Sequence, residues 1–99
     1  MCVWTMKNTL VKLGFSHADA EWLTNLAIQI YAPYDKSHGM DHIQQVLDNA
    51  VEFMRGDVSA ETVRTIAIIC VFHDAYDPKY SKVHVMTRDE LLTVVAQRF

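Results

Sequence analysis

Two short segments bring together side chains that bind metals. The first, SHGMDH, carries His38, Asp41 and His42, and the second, the run IAIICVFHD, ends on His73 and Asp74. Imidazole nitrogens and carboxylate oxygens are ligands for Zn, Mn, Fe or Ni, so two such clusters on separate helices are able to meet over one divalent ion. A lone His-x-x-x-His arises often on surface helices, and His73 with Asp74 also reads as a solvated polar cap. Placing both clusters at the edges of strongly apolar segments favours the metal-binding reading. Burying a carboxylate beside an imidazole costs several kcal/mol unless something positive pairs with them.

The elements that must position these groups are helical. Val3, Trp4, Met6, Leu10, Val11 and Leu13 suit a short amphipathic helix that Gly14 closes. Ser16 offers an N-cap, and Trp22, Leu23, Leu26, Ala27 and Ile30 follow at helical spacing to about Tyr31, where Pro33 forbids continuation. After a loop over 34–39, Asp41 reads as an N-cap acceptor. Ile43, Val46, Leu47, Ala50, Val51 and Met54 then keep the i, i+3, i+4, i+7 rhythm. His42 lies about 110° from the centre of that stripe, at its border, from where a ring can reach a neighbouring helix.

Gly56 closes the third helix and Ser59 caps the fourth, which contains the run Ile66 to Phe72. That run has the β-branched character of a buried strand, but the good cap and the lack of any alternating partner strand favour helix. Apolar on every side, it is expected at the centre of the molecule, carrying His73 and Asp74 inward. Asp77-Pro78 marks the exit, and Lys79 to Val85 reads as irregular. Thr87 and Glu90 then form a capping box for a fifth helix whose Leu91, Leu92, Val94 and Val95 face inward. The expected architecture is one all-α domain over 1–99, a compact bundle of about five short helices around a buried central helix.

SHGMDHIQQVLDNA followed by HDAYDPKY resembles the HD-domain metal-dependent phosphohydrolases. The likeness is closest to a small branch that reads His-Gly-x-x-His-Ile and then His-Asp-x-x-Asp-x-Lys-Tyr. The resemblance covers roughly Tyr34 to Tyr80 and implies His42 as first metal ligand, with His73 and Asp74 as the paired ligands. It implies that His38, Asp77, Lys79 and Tyr80 support those ligands or contact phosphate. From the residues alone, Asp77 before Pro78 is equally a turn residue, Lys79 a solvated lysine, Tyr80 loop packing, and His17 and His84 surface groups.

The family's fourth ligand is an Asp on a later helix, and no such helix follows α-helical segment five before Phe99. Asp89 folding back, a carboxylate from a partner chain in a homodimer, or the rest of a longer protein could replace it.

The implied activity is hydrolysis of a phosphate ester or anhydride, a nucleotide being the class the resemblance suggests, through water activated on a divalent cation (Mn, Fe, Zn, Ni or Mg). The alternative is a shortened HD-like module with a binding or regulatory role. There is no glycine-rich phosphate loop. With a formal net charge of -3 and no basic stripe, general nucleic-acid binding has no electrostatic support. Half the chain is hydrophobic (51%), yet no segment approaches the roughly 20 apolar residues of a membrane span. Cys2 and Cys70 suggest no disulfide framework, so a reducing, cytoplasmic setting is the default expectation.

Overall fold

A computed structural model describes residues 3–32, 39–54, 58–73, 75 and 87–99, with the backbone only at Val3 and Trp4. These residues form α1 (Val3–Lys12), α2 (His17–Tyr31), α3 (Met40–Phe53), α4 (Ala60–Phe72) and α5 (Arg88–Arg98), and among them there is no strand. The fold class is therefore all-α. The radius of gyration, 13.0 Å, is that of a globular chain of this length, about 13 Å for 100 residues.

Local chemistry sets most helix ends. Gly14, at φ +107, takes the left-handed conformation that L side chains rarely adopt. The Phe15 amide can then donate to the Leu10 carbonyl and the Gly14 amide to the Val11 carbonyl, a Schellman closure of α1. Ser16, Ser59 and Thr87 cap α2, α4 and α5 by accepting from the amides of Asp19, Thr62 and Glu90. At Thr87 the Glu90 side chain also accepts from the Thr87 amide, which completes the capping box. The expectation for Asp41 is corrected. The N-cap of α3 is Gly39, with no side-chain cap bond, and Asp41 lies inside the first turn. There its negative charge suits the positive end of the helix dipole.

Helix α1 packs on α2 and α3 on α4, while α1 and α2 both meet α3. Met6, Leu10, Leu23, Ile43, Leu47 and Val71 are fully buried at the junction. Burying each such side chain contributes about 1.5–3 kcal/mol before entropy is counted.

The centre falls on a different helix from the one expected. Among the described residues α2 is the most deeply buried, through Ala20, Leu23, Thr24, Leu26, Ala27, Ile30 and Tyr31, whereas α4 buries only Ala67 and Val71 and leaves Ile69 62% exposed. An all-round apolar helix requires partners on all sides, and among the described residues α4 meets partners on some faces only. Leu92 of α5 departs in the same way: it was expected inside and is 56% exposed, with Leu91 the buried residue of that helix. The end of α5 docks on α2 through a bond from Arg98 Nε to Asp19 Oδ1 at 2.9 Å. Arg98 also lies over the Trp22 ring, and Phe99 meets Phe15 and Trp22 edge-on.

No helix among the described residues is long and apolar enough to cross a membrane.

Candidate functional site

The site is built at the C-terminal end of α4 and the N-terminal turn of α3. Carbonyls in the last turn of a helix lack intrahelical partners, and at α4 side chains and a turn take them up. The Tyr31 hydroxyl, buried in α2, donates to the Val71 carbonyl at 2.7 Å. The Ala75 amide donates to the Phe72 carbonyl at 3.1 Å. His73, the C-cap, has its Nδ1 2.7 Å from the Cys70 carbonyl. Because a carbonyl oxygen only accepts, Nδ1 carries the proton in this bond, and in the neutral ring the lone pair then sits on Nε2. That is the tautomer of a histidine that ligates a metal through Nε2 while its other nitrogen is held by a backbone carbonyl.

His42, in the first turn of α3 and half-buried, brings its ring to 5.6 Å from the His73 ring, centroid to centroid, with the planes tilted by 51°. Two rings ligating one ion at about 2.1 Å with tetrahedral angles would have centroids about 5.3 Å apart, so the spacing fits a shared ion. It also falls within the range of roughly 4.5–7 Å seen for ordinary ring packing. The spacing is therefore compatible with a shared ion and with ordinary ring packing alike.

Asp74, His38, Asp77, Lys79 and Tyr80 lie outside the described residues. Among the described residues no group of three or more His, Cys, Asp and Glu side chains is gathered for a metal, so Asp89, exposed in the first turn of α5, does not join the histidine pair. His17 is exposed, as expected. Burial pushes the Cys70 thiol above its ordinary pKa, which keeps it protonated at neutral pH and makes it a poor thiolate ligand or nucleophile.

Compared with protein-family models, curated proteins and solved structures, the chain matches none.

Two contributors were not anticipated. Tyr31 anchors the turn that presents His73, and its partner lies 40 residues away, beyond any local sequence signal. Gln44, buried one turn after Met40, donates to Thr9 Oγ1 and Asp48 Oδ1 and ties α3 to α1. An apolar groove of about 270 Å³ also opens between α4 and α5, with His73 part of its lining.

Proposed function

We propose that the protein is a metal-dependent phosphohydrolase of the small HD-domain type, acting on a phosphate ester or anhydride in the cytoplasm. The single observation that carries this reading is the 5.6 Å approach of the His42 and His73 rings from two different helices. His42 and His73 would hold the ion through imidazole nitrogens, with Asp74 supplying the carboxylate. A divalent cation held there would lower the pKa of its bound water toward neutrality and withdraw charge from a phosphoryl oxygen.

The chain's own groups do the rest. The Cys70 carbonyl fixes the His73 ring and its tautomer. Hydrolysis forms a bond from water oxygen to phosphorus and breaks the bridging P–O bond. On the resemblance, His38 or Asp77 would accept the water's proton and return one to the leaving oxygen, or orient a ligand imidazole, and Lys79 would balance the charge of the phosphate. A homodimer in which the partner chain donates the further carboxylate would complete the ligand set. The resemblance points to nucleotides as the substrate class.

The test is hydrolysis of a panel of nucleotides and simple phosphate esters by the full chain with added Mn²⁺. Turnover is expected, and His73→Ala should lower kcat/KM by about 100-fold or more, because a lost ligand weakens both ion and geometry. Full activity in His73→Ala would sink the mechanism. Metal binding without turnover would instead identify a non-catalytic HD-like module.

A further inference from the structure

Helices α4 and α5 face each other across an open groove of about 270 Å³. Ile68, Ile69 and Phe72 form the α4 wall, which ends at His73, and Leu92 and Val95 stand on the α5 side. Ile69 is 62% exposed and Leu92 56%. A single exposed aliphatic side chain is ordinary on a protein surface. Two that line one apolar groove form a patch that gains by being covered. The volume is just below the roughly 300–1,000 Å³ of sites for drug-sized ligands, so it suits a small group.

His73 belongs to both places. Its ring lies 5.6 Å from that of His42, and it also lines the groove. The groove is thus next to the histidine pair, within reach of the other half of a phosphate ester whose phosphoryl group sits there.

Resting on the hydrolase reading, we infer that the α4/α5 groove is the subsite for the substrate's leaving group, and that this group is apolar: an aryl or short alkyl alcohol esterified to phosphate. The chemistry of the walls favours this class over the nucleoside that the resemblance suggests, and so narrows the hydrolase reading to simple phosphate esters. A nucleobase and a ribose carry several donors and acceptors that need partners once they leave water. Among the described residues the groove's side chains offer none beyond His73, whose Nδ1 is already engaged with the Cys70 carbonyl. An aromatic ring has no such requirement and gains contact with Ile69, Phe72 and Leu92.

Two measurements on the full chain test the assignment. With Mn²⁺ present, kcat/KM for 1-naphthyl phosphate should exceed that for glycerol phosphate and for AMP. Ile69→Asn and, separately, Leu92→Ser should each reduce the naphthyl-to-glycerol ratio about tenfold, the scale of a lost apolar contact in a pocket. Both positions are more than half exposed, so the fold does not depend on them. By NMR with Mg²⁺ present, 1-naphthyl phosphate should shift the methyl signals of Ile68, Ile69, Leu92 and Val95 where inorganic phosphate does not.

Turnover with AMP preferred overturns the subsite and leaves the hydrolase reading standing. Absence of turnover on every ester removes the hydrolase reading and the leaving-group role with it. The same methyls shifting with protein concentration alone would mean that a second copy covers the groove, and would overturn the assignment.

Discussion

At the scale of single residues, the position of His73 depends on what holds the last turn of α4. Its imidazole is tied to the Cys70 carbonyl, and the neighbouring Val71 carbonyl is held by the buried Tyr31 hydroxyl. Tyr31→Phe keeps the ring and its packing but leaves that carbonyl without the hydroxyl. An orphaned buried acceptor costs about 1–3 kcal/mol, so the variant should unfold at lower urea concentration with an unchanged m-value. Unchanged urea stability would show that water replaces the hydroxyl at no cost. None of this could be read from the sequence, where Tyr31 is the last aromatic residue before Pro33 and its partner is 40 positions on. Hydrogen bonds between distant elements follow from packing, which local patterns do not encode.

At the scale of elements, the helix boundaries were legible because their causes are local. Ser16, Ser59 and Thr87 sit immediately before helical periodicity and each accepts the amide three residues on. Gly14 closes α1 for an equally local reason. Asp41 misled because it too is a good capping residue near a helix start, while the glycine two positions earlier takes the cap without a side chain.

The capping box of α5 has a pH consequence. The Thr87 amide, and after it the Thr87 hydroxyl, hydrogen-bonds the Glu90 carboxylate and holds its pKa below the ordinary value. A depressed carboxylate stabilises the fold above its unfolded pKa of about 4.3, and that contribution is lost as pH falls through the lower folded value. Wild type should therefore lose more stability than Glu90→Gln between neutral and strongly acidic pH, as followed by thermal unfolding. Equal losses in the two proteins would remove the box as a contributor.

At the scale of the whole molecule, the all-α bundle was legible from periodicity and the absence of strand pairs, but the identity of its central helix was not. Periodicity reports how apolar each face is and says nothing of which faces find partners. Helix α2, with an ordinary amphipathic pattern, is buried deeply, and the more apolar α4 keeps Ile69 in water beside an open groove. The meeting of His42 with His73 was suggested by the resemblance of their surroundings to one family, and spacing alone could not have placed residues from α3 and α4 together. With both rings at one junction and Asp74 following directly, the account needs them to act as a unit on one cation. Calorimetric titration of the metal-free chain with Mn²⁺ and with Zn²⁺ tests this most directly. About one equivalent should bind to the wild type, and His42→Ala and His73→Ala should each weaken binding by at least about tenfold; no binding to the wild type, or full-strength binding to both variants, would contradict the account.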